Sequence, residues 1–152
     1  METEQKVEKD RLAVGVWLRL MKSYNLILRQ ARRSISTDCT LAQFDVLAQL
    51  ARHPEGLSFR QLSQELLVTA GNLTGIVDRL EAEGLVVRNQ VPEDRRSFQV
   101  KLTKSGQKLS EKLIEKHTTD LQKLFAGLSK DELLQLRDLL GKLQTEIEKE
   151  GV

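Results

Sequence analysis

The chain of 152 residues carries 24 Lys and Arg against 22 Asp and Glu, one Cys and six aromatic residues (one Trp, one Tyr, four Phe), for a formal net charge of +2. That length fits one domain, or one domain with an appendage, and a charged fraction of 30% beside 39% apolar residues excludes a disordered chain. No apolar run approaches the roughly 20 residues of a membrane span. The charged start Met1-Glu2-Thr3-Glu4-Gln5-Lys6 lacks the apolar core of a signal peptide, and Cys39 with only two distant His offers neither an internal disulfide nor a zinc site. The expectation is a cytoplasmic protein with no membrane association, no metal and no cofactor.

The first periodic segment places Ala13, Val16, Trp17, Leu20, Tyr24, Ile27 and Ala31 on one helical stripe, which predicts a single long helix. From Arg11 to Thr37 this region holds six bases (Arg11, Arg19, Lys22, Arg29, Arg32, Arg33) and no acid. Thr40 with Gln43 three residues later is a capping-box signature, and Phe44, Leu47, Ala48 and Ala51 continue a second helix that ends at His53, before Pro54 and Gly56. Ser58 with Gln61 opens a short third helix around Leu62 and Leu66. Leu67-Val68 reads as a turn, and Thr69 caps a fourth helix with Leu73, Ile76, Val77 and Leu80 as its buried stripe and Gly84 as its stop. Two helices joined by so short a turn make a helix-turn-helix.

After Gly84 the period falls to two. Leu85 to Gln90 and Ser97 to Leu102 read as strands around the turn-rich segment Val91-Pro92-Glu93-Asp94-Arg95-Arg96, a hairpin with a basic tip. From Leu85 to Lys112 seven bases face three acids, for +4, whereas the stretch from Leu113 onward carries six bases and eight acids, for −2. Helical period returns from Thr103 to Gly127, and Ser129 with Glu132 caps a last helix. There Leu133, Leu136, Leu140, Leu143 and Ile147 form a heptad seam widened by Leu134 and Leu139.

The resulting fold class is mainly α with a small β-hairpin wing (α+β): a winged helix-turn-helix at 40–103, with its recognition helix at about 69–83 and its wing at about 85–102. Helical dimerisation segments at 8–36 and 104–152 flank it. A recognition helix meets base edges in the major groove through its N-terminal part. The face opposite its buried stripe shows Thr69, Ala70, Asn72, Thr74, Asp78 and Arg79, with Gly71 and Gly75 one turn apart. Small residues allow close approach to DNA, Asn72 is a candidate for adenine edges, and Thr69 and Thr74 are candidates for bases or phosphates. Ser58 and Arg60 on the preceding helix extend the candidate surface. Arg95 and Arg96 suit a narrow minor groove, with Arg88, Lys101 and Lys104 as flanking phosphate contacts.

The chain resembles the MarR family of bacterial transcriptional regulators in Leu41-Ala42-Gln43-Phe44-Asp45-Val46-Leu47, in Val77-Asp78-Arg79-Leu80-Glu81-Ala82-Glu83-Gly84-Leu85, and in Asp94-Arg95-Arg96-Ser97 leading to Leu102-Thr103. The resemblance implies a homodimer with interlocked terminal helices, set on palindromic double-stranded DNA. It assigns Asp94 to brace the wing tip, Arg96 to the minor groove, Arg95 to a variable position and Arg79 to a backbone contact. It also implies a small, often phenolic or anionic effector, for which Trp17, Arg19 and Tyr24 are candidates, although the helical spacing of Trp17 and Tyr24 favours plain core over that role. Some branches of the family sense peroxides through one cysteine in the first helix, where this chain has none. Cys39 is the candidate here: a helix N-terminus lowers a thiol pKa and the neighbouring Asp38 raises it. The seam of the last helix is too apolar to leave in water. No metal-ligand spacing, nucleophile elbow, P-loop or dinucleotide fingerprint points to an enzyme. A winged helix used only for protein contacts remains the other class, one that does not need paired arginines on a wing.

Overall fold

The computed structural model describes residues 2–35, 38–66, 70–91 and 94–151, with side chains throughout except at 2–6, 70, 91 and 94–97. Along the chain run α1 (Glu2–Ile35), α2 (Leu41–Arg52), β1 (Leu57–Ser58), α3 (Phe59–Leu66), α4 (Ala70–Ala82), β2 (Val86–Val91), β3 (Asp94–Leu102), α5 (Lys104–Leu124) and α6 (Lys130–Lys149). Helix starts follow the local chemistry. At α2 the Thr40 hydroxyl accepts from the Gln43 backbone N–H at 3.2 Å while the Gln43 side chain accepts from the Thr40 N–H at 3.0 Å. Ser58 with Gln61 and Ser129 with Glu132 form the same reciprocal pairs, each satisfying two amides that the first turn leaves without partners. α4 stops in a Schellman arrangement: Gly84 lies at φ 70°, its N–H reaches the Glu81 carbonyl, and the Leu85 N–H reaches the Leu80 carbonyl.

The three strands are antiparallel in the order β1-β3-β2. β1 is an element the sequence pattern does not announce, because two residues carry no period. Gly56, at φ 91°, turns the chain so that Leu57 pairs with Val100 and Ser58 with Gln99. Ser58 therefore ends a strand and caps α3 at once. β2 pairs regularly with β3 from Val86–Leu102 to Gln90–Phe98, then jumps to Val91–Asp94. Pairing this far out puts Arg95 and Arg96 on strand β3 rather than in the expected six-residue turn. They stand at the irregularity between those last two pairs.

By compactness the chain divides into Met1–Thr118 and Thr119–Val152, a boundary inside α5. The core of the first unit gathers Ile35, Phe44, Val46, Leu47, Leu50, Leu57, Leu62, Val86, Val100 and Leu113 around the expected α4 stripe of Leu73, Ile76, Val77 and Leu80. The start of α5 is locked onto the end of α4. The Thr103 hydroxyl donates to the Gly84 carbonyl at 2.7 Å and accepts from the Gly106 N–H at 3.0 Å, and the Thr103 N–H reaches the Leu85 carbonyl. Further along α5, Lys112 pairs with Asp38 at 2.9 Å and Lys116 donates to the Ser34 carbonyl, placing cations at the C-terminal end of α1 where its dipole favours them.

Two stripes behave differently. Among the described side chains of α1 the buried ones are Ala31, Ser34 and Ile35 at its end, while Trp17 and Tyr24 are 58% and 57% exposed. The plain-core reading of those two aromatics does not hold in the single chain, since no element of the described first unit covers that part of the helix. The seam residues of α6 are likewise exposed, from 37% at Leu133 to 66% at Leu139. Among the described residues, no helix is long and apolar enough to cross a membrane.

The tightest point in the fold is Gly106: a β-carbon there would lie 1.9 Å from the Leu85 carbonyl oxygen, a backbone atom with no freedom to move. Gly106→Ala is expected to lower the unfolding free energy by about 3 kcal/mol, read as a fall in the urea midpoint. A midpoint equal to the parent's would show that the α4–β2–α5 junction is looser than described.

Candidate nucleic-acid interface

The buried stripe of α4 leaves Gly71, Asn72, Thr74, Asp78 and Arg79 exposed and Gly75 half-buried, so the outer face is the one that the periodicity selects. Nothing lies within 4 Å of a β-carbon built on Gly71, and one on Gly75 would meet only the Arg79 side chain at 3.7 Å. The helix thus exposes bare backbone at Gly71, while Gly75, one turn on, lies partly under the Arg79 side chain. Arg79 runs along its own helix, its Nε donating to the Gly75 carbonyl at 3.0 Å, and stays exposed. Arg60 is exposed on α3. Ser58 is occupied by its cap, and its hydroxyl also donates to the Gln61 side chain at 2.9 Å. Thr69 lies outside the described residues, as do the side chains of Ala70, Asp94, Arg95 and Arg96. For the last three the structure places the backbone on β3, at the far end of the wing.

Two of the flanking cations are differently placed. Lys101 is half-buried, folded over the Gly56 turn, where its Cγ lies 2.6 Å from a β-carbon built on the glycine. Arg88 is engaged inward: one terminal nitrogen donates to Glu81 at 2.8 Å, the other to Asp78, and the guanidinium stands 5.4 Å from the centre of the Phe59 ring. Only 24% of its side chain is exposed. The expectation of Arg88 as a free phosphate contact does not fit this geometry, because both ends of its fork are already held by carboxylates. Asp78 is visible in the sequence as part of the outer face. Glu81 and Phe59 are partners that no local pattern reveals.

The effector candidates are not brought together. On a 100° per residue helix, Arg19 lies roughly 150° around α1 from Trp17 and Tyr24, and its guanidinium folds back on the Gly15 carbonyl at 3.1 Å. Cys39 is half-buried in front of α2. Burial, then the carboxylates of Asp38, Glu83 and Asp45, push its thiol from an ordinary 9.0 up to about 11, against a smaller lowering by a backbone hydrogen bond at Phe44. These contributions outweigh the helix N-terminus. At pH 7 only about one such thiol in ten thousand is ionised, the reverse of what a peroxide-sensing thiolate needs. Among the described residues no group of three or more His, Cys, Asp or Glu stands together as a metal site.

A helix-turn-helix whose second helix turns a small, polar face outward, followed by a two-stranded wing, defines the winged-helix class of DNA-binding proteins. Residues 37–97, from the approach to α2 through the wing, match the model of the MarR family. An uncharacterised HTH-type transcriptional regulator of Bacillus subtilis, YkoM, is 35% identical over 140 residues, spanning 91% of this chain and 88% of the relative. Among solved structures, a MarR mutant from E. coli complexed with operator DNA superposes with a TM-score of 0.73 at 34% identity, covering 82% of this chain and 91% of that one. NadR in complex with 4-hydroxyphenylacetate superposes at 0.71 and 31% identity, covering 83% and 89%. The chain belongs to the MarR family of transcriptional regulators.

The raised thiol pKa has a direct consequence. The rate of Cys39 alkylation by iodoacetamide in the folded protein is expected to be still climbing at pH 10, because the thiolate fraction grows until pH approaches about 11. A plateau by pH 9 would mean an ordinary thiol and reopen the redox reading.

Proposed function

We propose that the chain is a homodimeric repressor that seats two winged helices on a palindromic operator and is released by a small aromatic anion. The observation that carries the DNA reading is the outer face of α4, exposed and built from Gly71, Asn72, Thr74 and Arg79 beside a wing that carries Arg95 and Arg96. In this reading residues 40–103 bind DNA, while 8–36 and 104–152 supply the dimer. Ser58, Arg60, Thr69, Ala70, Gly75, Asp94 and Lys101 border the contact. The apolar stripes left exposed on α1 and α6 support a second copy as their cover. Two copies on a two-fold axis would read half-sites about 10 bp apart. The E. coli neighbour bound to operator DNA and the NadR neighbour bound to a phenolic carboxylate favour the same partners here. Trp17, Arg19 and Tyr24 are the residues offered for the effector, Trp17 and Tyr24 on one face of α1 and Arg19 on another. Such a protein works in the cytoplasm, beside the chromosome.

Binding to the DNA upstream of the chain's own gene, followed against salt, tests this. The parent is expected to bind one duplex specifically, with affinity falling steeply as salt rises. Arg95→Ala with Arg96→Ala should weaken operator binding by about 10- to 100-fold and flatten the salt slope by about one to two, with a dimer mass retained in light scattering. A double variant that binds as tightly as the parent sinks the wing assignment, and a monomer mass at micromolar concentration sinks the dimer. Absence of salt-dependent binding would leave a protein-interaction module instead.

The glycines provide an independent check of sign. Gly71→Ala with Gly75→Ala should stabilise the fold by about 1–2 kcal/mol, since both sit in a helix with room for a methyl group. The same variant should bind operator less tightly, because the methyl groups hold the helix away from the groove. Unaltered operator affinity would place DNA elsewhere.

A further inference from the structure

We propose that Arg88 is a positioning residue that sets sequence specificity by clamping the wing to the recognition helix. The inference rests on the DNA-binding reading above, and it assigns Arg88 a role away from the nucleic acid. Asp78 and Glu81 are three residues apart on one side of α4, and Arg88 reaches them from β2, across the Gly84 turn. Glu81 holds the residue twice: its Oε2 takes a guanidinium N–H and its Oε1 accepts from the Arg88 backbone N–H at 3.2 Å. The strand itself is tied, not only the side chain. The guanidinium carbon also stands 5.4 Å from the centre of the Phe59 ring of α3, within cation–π range. Helices α3 and α4 and strand β2 therefore meet on one side chain.

Two physical arguments make this a matter of specificity. The first is leverage. From Arg88 to Val91, the last residue of β2, the ribbon extends about 10 Å at roughly 3.3 Å per residue, so an angular slack of about 10° at its base moves that end by about 2 Å. That exceeds the tolerance of a hydrogen bond. Minor-groove and major-groove contacts can be made together only if the angle between wing and helix is held. The second is charge. Asp78 and Glu81 are acids on the helix that approaches DNA, with side chains 55% and 38% exposed. Handing Arg88 to a phosphate would leave both carboxylates unpaired before the backbone. Arg79, exposed and, among the described residues, bonded to the Gly75 carbonyl of its own helix, has no such constraint.

The test turns on a sign. Asp78→Asn with Glu81→Gln keeps shape and acceptor oxygens but removes two negative charges, a change that by electrostatics alone tightens binding to any duplex. The clamp predicts the opposite for the operator: about tenfold weaker specific binding, with non-specific binding equal to or tighter than the parent's. Arg88→Lys, which keeps the charge without the fork, should lower the ratio of specific to non-specific affinity in the same way. If operator and non-specific affinities rise together with a steeper salt slope, or if Lys keeps the parent's ratio, the clamp is overturned. Hydrogen exchange without DNA supplies the second readout. Amides of Val87, Asn89 and Gln99, which the antiparallel alternation directs into the β2–β3 ladder, should exchange faster in the double variant while those of α2 do not change. Unaltered exchange also overturns the clamp. A parent that binds no DNA, with the exchange effect present, would instead retire the regulator reading and leave the clamp standing.

Discussion

The carbonyl of Leu85 occupies the place where residue 106 would carry a β-carbon, and the winged helix depends on that approach. Four element ends converge there: α4 stops at the Gly84 turn, β2 starts, β3 finishes at Leu102, and α5 begins with Thr103 as its cap. Thr103 uses one hydroxyl as donor to the outgoing helix and acceptor from the incoming one. The wing is thereby rooted at both of its strands on the C-terminal end of the recognition helix. A side chain at 106 would push α5 away and loosen β3, on which β1 and β2 both pair. Backbone contacts this close leave little room for adjustment, because packed interiors yield by discrete shifts rather than by smooth compression.

With that root fixed, charge along the chain acquires addresses. The net excess of +2 says little, whereas the +4 of the segment from Leu85 to Lys112 divides among distinct tasks. Arg88 is spent inside the domain on Asp78 and Glu81, Lys112 on Asp38, and Lys101 lies over the Gly56 turn. Of the described side chains in that segment Lys104 and Lys108 stay exposed on α5, as do Arg79 and Arg60 on the preceding helices. Ion pairs whose carboxylates stay this exposed add little stability, but a forked guanidinium held at both ends fixes geometry. Here the geometry is the angle between a strand and a helix.

Most of the fold was legible because its elements carry strong periods and caps. The stripe Leu73, Ile76, Val77, Leu80 is buried as its spacing demands, the capping pairs at Thr40, Ser58 and Ser129 all form, and Gly84 ends α4. What could not be read depends on partners distant in sequence. β1 exists only because β3 offers an edge to two residues. The length of β3 follows from pairing beyond Gln90, which the turn-forming residues Pro92, Glu93 and Asp94 conceal. Arg88 looks like any wing cation until Glu81 and Asp78, seven and ten residues earlier, are folded back beside it. Cys39 was half legible: Asp38 is its neighbour in sequence, but burial and Glu83, which a hydrogen bond from Gln43 ties to the start of α2 at 3.3 Å, are not.

The first helix shows why one period can hold two meanings. On a 100° per residue wheel Arg11, Arg19, Lys22, Arg29, Arg32 and Arg33 fall within an arc of about 140°, while Trp17, Leu20, Tyr24, Ile27 and Ala31 cluster roughly opposite. The buried end at Ala31, Ser34 and Ile35 shows which side meets the chain's own core, and it is the apolar one. Earlier along the same side Trp17 and Tyr24 are bare, since a helix of 34 residues outruns the domain that holds its end. That seam is left uncovered by the first unit, and the basic arc faces away from it. Separating the two faces leaves the helix one apolar side and one positively charged side that do not compete for the same positions.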